Sequence, residues 1–171
     1  MSAQAAPAPE GISHVATITA DLDRLRAFYE GVLGMTCTAV MRMSEAPYLR
    51  HAFLAAGPGV VHVFEQPGYD PVADGIPNEI GRRGRVDHFG LMVADEVELA
   101  AVRDRLVDAG ASEGVVTDFG SVLSVHFCDP DGLHAEVNCP NPAFDRRSQS
   151  SDEIEEEAEP DPTRAFSVAA R

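Results

Sequence analysis

The sequence predicts an α+β fold of two tandem βαβββ modules, and two observations carry that prediction. The segment SHVATITADLDRLRAFYEGVLGM, starting at Ser13, reads again as DHFGLMVADEVELAAVRDRLVDAGA, starting at Asp87, at an offset of 74 residues without a gap. Each copy opens on an alternating apolar run, continues through an Ala-Asp pair (Ala20-Asp21 and Ala94-Asp95) and runs on with apolar residues at helical spacing. These are the signatures of a strand, a helix cap and an amphipathic helix in that order.

Residues 1–10, MSAQAAPAPE, are rich in Ala and Pro and read as a loose arm. The first module spans 11–66. Ile12 to Thr19 alternates as a half-buried strand does. Asp21 caps a helix whose apolar stripe is Leu22, Leu25, Phe28, Val32 and Leu33. Gly34 ends it, because glycine accepts the left-handed conformation. Strands follow around Cys37 to Met43, Leu49 to Ala55 and Val60 to Gln66, the last two separated by the turn Gly57-Pro58-Gly59.

The second module, 86–143, repeats the order. Its first strand is Val86 to Val93. Its helix is capped by Asp95, with Glu98 placed to complete a capping box, and its stripe is Leu99, Val102 and Leu106 before Gly110. Strands near Gly114 to Asp118, Val122 to Cys128 and Leu133 to Cys139 follow, the last two joined as a hairpin through Asp129-Pro130-Asp131-Gly132. Residues 67–85, rich in Gly, Pro and Asp, form a connection of a length that often serves as a lid. Residues 144–171 include the run SSDEIEEEAEPDP, whose charge and low apolar content read as a disordered tail.

Composition excludes several classes of function. The formal net charge is −15, so nucleic acid is not an expected partner. No stretch approaches a membrane span, and the N-terminus lacks the basic and apolar parts of a signal peptide. Cys37, Cys128 and Cys139 are odd in number and have no CxxC spacing, which suits a reduced, cytoplasmic chain. There is no lysine, so no Schiff base or lysine general base is available.

The repeat also carries chemistry. The same offset of 74 takes His14 onto His88 and His62 onto Glu136. A rough two-fold between modules would bring these four side chains together, and a metal would sit there. A carboxylate in an apolar strand such as that around Glu136 is costly unless paired or metal-bound. Imidazole and carboxylate donors suit a divalent metal: Fe(II) is favoured, with Mn(II), Ni(II) or Zn(II) possible. Glu65, three residues after His62, falls on the opposite strand face, and the ungapped repeat makes His62 the inward residue. His126 lies on the strand paired with that of Glu136 and shares its face if the hairpin register is even. His51 and His134 are weaker candidates. Arg82, Arg83 and Arg85 form a small basic cluster in the connection. Met41, Met43, Phe53, Phe64, Phe89 and Phe127 are expected to line core or cavity.

The repeated βαβββ pattern, the leading histidine of each module and the DPDGxxxE hairpin from Asp129 to Glu136 together resemble the vicinal oxygen chelate superfamily. That group includes glyoxalase I, methylmalonyl-CoA epimerase, extradiol dioxygenases, fosfomycin-resistance enzymes and bleomycin-binding proteins. The resemblance covers roughly Gly11 to Pro140. It implies a curved eight-stranded cup around a metal, with His14, His62, His88 and Glu136 at the ligand positions. It implies a metal-dependent enzyme acting on a small oxygenated molecule, with a lean toward extradiol-type dioxygenase chemistry in which His14, His88 and Glu136 hold Fe(II). His62 would then be the catalytic acid or base, with His126 a further catalytic candidate. Extradiol enzymes usually carry Tyr at the position of His126 and a further His at that of Thr117, so this chain departs from them there. The alternatives are a glyoxalase- or epimerase-like isomerase or lyase, in which His62 is a fourth ligand, and a non-catalytic small-molecule binding or resistance protein. The resemblance also allows a homodimer, since members of the family often pair or exchange modules.

Overall fold

A computed structural model of the chain describes residues 11–44, 46–70 and 87–144. The expected N-terminal arm, most of the connection with Arg82, Arg83 and Arg85, Val86, and the tail beyond Phe144 lie outside the described residues. The chain divides into two compact units. In the first, β1 (His14–Thr19), α1 (Leu22–Gly31), β2 (Thr36–Arg42), β3 (Arg50–Ala56) and β4 (Gly59–Glu65) form a mixed sheet of order β1-β4-β3-β2. In the second, β5 (Phe89–Met92), α2 (Glu96–Asp108), β6 (Val116–Asp118), β7 (Val122–Cys128) and β8 (His134–Pro140) form a sheet of order β5-β8-β7-β6. In both units the first strand runs parallel to the last and the other pairs are antiparallel. The eight strands are thus two repeated sheets of four, an α+β architecture of two tandem modules.

The helix signals act locally. Asp21 Oδ1 accepts the Arg24 N–H at 3.0 Å. Asp95 Oδ1 accepts from Val97 and Glu98 at 3.0 and 2.9 Å. Glu98 reaches back to the Ala94 N–H at 2.9 Å, one residue before the cap, so the capping box is shifted from its expected partner. At the end of α2, Gly110 sits at φ 68 while its N–H bonds Val107 O and the Ala111 N–H bonds Leu106 O, each at 2.9 Å. This is a Schellman stop, which needs the left-handed residue. Helix α1 ends at Gly31, earlier than Gly34. Val32 and Leu33 therefore leave the stripe, and the buried residues are Leu22, Leu25 and Tyr29 rather than Phe28. In the β7–β8 hairpin, Asp129 Oδ1 accepts the Asp131 and Leu133 N–H groups, both at 2.9 Å, and Gly132 takes φ 81.

Alternation then assigns the faces. In the first unit Ala52, Leu54, Val61 and Val63 are buried. In the second, α2 packs on β7 and β8, where Leu123, Val125, Phe127, Ala135, Val137 and Cys139 are buried. Burying a Leu or Val side chain contributes about 1.5–3 kcal/mol. A one-residue register slip would expose the whole set, so the register is strongly specified. Side chains of the opposite parity, including His51, Phe53, His62 and Phe64 in one unit and His126, Glu136 and Asn138 in the other, are left on the open faces.

Candidate functional site

His14 opens β1 rather than sitting in its middle, and His88 lies just ahead of β5. The strands start later than the alternation suggests because ladder pairing begins at His14↔Val60 and Phe89↔Ala135, leaving Ile12 81% exposed. Both histidines are oriented by the residue before them. His14 Nδ1 is 3.0 Å from Ser13 Oγ, and His88 Nδ1 is 2.8 Å from Asp87 Oδ2. Ser13 and Asp87 are themselves equivalent in the repeat. The Asp87 carboxylate accepts from His88 Nδ1–H, which leaves the Nε2 lone pair of His88 open, whereas the Ser13 hydroxyl can pair with either tautomer of His14.

His62 lies on the open face of β4, directly across from Phe53. Its ring stacks on Phe53 with centroids 4.2 Å apart and sits 4.1 Å from that of Phe64. Its Nε2 is 2.8 Å from Nδ1 of His51, with the donor set by the tautomer. The His14 ring is edge-on at 6.2 Å. Burial among these rings, with His51 and His14 adding to it, holds the His62 imidazole below its ordinary pKa. His51, a weak candidate in sequence terms, is thus a direct partner of His62. Register across the β3–β4 hairpin, which sets His51 opposite Phe64, is the signal that could have found it.

Glu65 takes the other face. Its carboxylate accepts from Arg50 Nε and Nη2 at 2.7 and 2.6 Å and from the Leu22 N–H at 3.2 Å. Arg50 also bonds Asp23 at 3.0 Å. The guanidinium holds the Glu65 carboxyl below the usual range and the carboxylates push Arg50 further up. Glu65 therefore ties β4 to the start of α1.

In the second unit Glu136 sits on the open face of β8, with His126 directly across on β7. His126 Nε2 is 3.9 Å from Glu136 Oε2, beyond hydrogen-bond reach. The carboxylate is instead held by Ser124 Oγ, which donates to Oε2 at 2.6 Å, and by Asn138 Nδ2, which donates to Oε1 at 3.1 Å. The His88 ring is edge-on to that of His126 at 6.2 Å. Gly90 pairs with Glu136 on β5, where a Cβ would approach Glu136 Oε1 and Asn138 Nδ2 to 3.0 Å. Glycine gives the carboxylate its room. Thr117 pairs with Ser124. His134 opens β8 with its Nε2 3.5 Å from Cys128 Sγ. Of the expected core or cavity residues, Phe127 is buried, Phe53 and Phe64 flank His62, Phe89 and Met43 are half-buried, and Met41 is exposed on the edge strand β2.

His14 and His62 belong to the first unit, and His88 and Glu136 to the second. Among the described residues no three His, Cys, Asp or Glu side chains are grouped to hold a metal ion. The donor chemistry itself fits a divalent cation. His88 engages a carboxylate through Nδ1 in the manner usual for metal-ligating histidines, His14 meets the Ser13 hydroxyl, and a half-buried carboxylate is held in place by neighbouring donors.

A family profile described as "Glyoxalase/Bleomycin resistance protein/Dioxygenase superfamily" matches residues 11–137. Among solved structures the chain is similar to a glyoxylase/bleomycin resistance protein/dioxygenase domain from Frankia sp. EAN1pec, at 20% identity and TM-score 0.63 over 78% of this chain and 100% of that one. It is similar to lactoylglutathione lyase from Agrobacterium tumefaciens at 24% identity and TM-score 0.53, over 77% of this chain and 95% of that one. It is also similar to the fosfomycin resistance protein FosX from Listeria monocytogenes, complexed with Mn(II) and sulfate ion, at 16% identity and TM-score 0.56, over 79% and 96%. At these identities the structural likeness is one of fold. No curated protein matches the chain. No helix among the described residues is long and apolar enough to cross a membrane.

Proposed function

The chain belongs to the Glyoxalase/Bleomycin resistance protein/Dioxygenase superfamily, and from that premise we propose that it is a divalent-metal-dependent enzyme acting on a small oxygenated molecule. The observation that carries the proposal is the repeated, oriented donor pattern. His14 and His88 stand at equivalent positions, each with Nδ1 engaged by the side chain before it, and Glu136 is held by Ser124 and Asn138. His14, His88 and Glu136 are the proposed ligands. Bound by them, a divalent cation would draw two neighbouring substrate oxygens and stabilise negative charge developing on them.

His62, whose ring lies near that of His14, is proposed as the proton-handling residue. Its Nε2 is engaged by His51, which argues against ligation through that atom; with Nε2–H donating to His51, Nδ1 is the proton acceptor, and the depressed pKa keeps the imidazole neutral near neutral pH. Phe53 and Phe64 fix the ring plane. This arrangement favours the dioxygenase-type reading with Fe(II) over a four-ligand site. The second reading, a glyoxalase- or epimerase-like isomerase or lyase, is favoured by His126 and Thr117, which depart from the extradiol pattern.

Elemental analysis of chain purified without chelators, followed by titration of His88→Ala with Mn(II), tests the metal. Near-stoichiometric metal in the parent and its loss in His88→Ala are expected; full occupancy in His88→Ala would sink the site. His62→Ala should keep the metal while turnover falls about 10²- to 10⁴-fold. Loss of metal in that variant would instead make His62 a ligand. Turnover of a catechol only in the presence of oxygen would decide for ring cleavage, and oxygen-independent turnover of a carbonyl substrate for the second reading.

A further inference from the structure

Two of the proposed site residues, one in each unit, are held from the same strand position. On β3, His51 lies two residues before Phe53, which is directly across from His62. On β7, Ser124 lies two residues before His126, which is directly across from Glu136. Each makes the same diagonal contact: His51 Nδ1 to His62 Nε2 at 2.8 Å, Ser124 Oγ to Glu136 Oε2 at 2.6 Å. The match is one of strand register and not of the sequence offset, which takes His51 onto Val125.

Ser124 also breaks the alternation of its strand. It has the parity of exposed His126, yet it is fully buried. A hydroxyl is costly to bury unless it is hydrogen-bonded, and this one donates to the carboxylate at a distance typical of a charge-assisted O–H···O⁻ bond. Asn138 holds the other oxygen, and Gly90 leaves both side chains their space. A carboxylate gripped at both oxygens has one orientation and still offers further lone pairs to a cation.

We propose that Ser124, with Asn138, is a positioning residue that presents the Glu136 carboxylate for metal binding. The proposal rests on the reading of Glu136 as a ligand. Calorimetric titration with Mn(II), at a temperature where circular dichroism shows every chain folded, separates the two. Ser124→Ala should bind Mn(II) about 10- to 100-fold more weakly than the parent, the usual cost of losing such an outer partner. Ser124→Thr, which keeps the hydroxyl, should recover most of that loss. A purely structural serine would change the melting temperature and leave the affinity of the folded chain alone. Parent-like affinity in Ser124→Ala, with affinity lost in Glu136→Ala, would overturn the positioning role and leave the ligand reading standing. Parent-like affinity in Glu136→Ala would overturn the ligand reading itself. If Ser124→Ala does not fold, Asn138→Ala carries the same comparison, with weakened binding expected and parent-like binding fatal.

Discussion

Replacing Glu65 by Gln tests whether β4 carries one ligand candidate or two. The Glu65 carboxylate accepts two hydrogen bonds from Arg50 and one from the Leu22 N–H, and its side chain is 11% exposed against 27% for Arg50. Gln keeps one oxygen and turns an amide NH2 against the guanidinium. Arg50 retains Asp23, which is 66% exposed and screened by solvent. Exposed ion pairs contribute about 0.2–1 kcal/mol and breaking a buried one costs about 3–5 kcal/mol. This half-buried pair lies between them, at about 2 kcal/mol. For a chain of this size that is a fall of about 4–8 °C in melting temperature. The effect also has a pH signature. Arg50 lowers the Glu65 pKa below its ordinary 4.5, so the contribution is present above that value and is lost as pH falls through the lower folded value. The parent and Glu65→Gln melts should converge in acid. Mn(II) affinity should be unchanged throughout. An unchanged melt at neutral pH would refute the ion-pair reasoning, and a tenfold loss of metal affinity would show that Glu65 is a ligand.

Two further outcomes follow from local geometry. Gly110→Ala keeps a left-handed residue at φ 68 in open space, so only backbone strain is added; it should cost about 1–2 kcal/mol in chemical denaturation, and a neutral result would mean that α2 stops some other way. The depressed pKa of His62 means that its contribution to stability is full above its ordinary 6.5 and is lost as pH falls through the lower folded value. His62→Gln should therefore lose less stability than the parent between about pH 7.5 and about pH 5, and equal losses would count against the buried, neutral imidazole.

What was legible in the sequence was whatever rests on short-range chemistry or on the repeat. Asp21, Asp95 and Gly110 act on backbone groups within a few residues, so their types and spacing predict the helices they bound. The Asp129 turn is equally local. The offset that pairs His14 with His88 and His62 with Glu136 needs no coordinates. Strand parity separates Glu65 from His62, because successive side chains point to opposite faces. Tertiary structure decided the rest. Strand starts shifted because a ladder begins only where a partner strand does, and packing turned Tyr29 rather than Phe28 inward on α1. The contacts made by the proposed site residues, His51 with His62 and Ser124 with Glu136, join residues 11 and 12 apart through antiparallel pairing. They depend on register, which buried faces and turns impose together and which no single residue announces.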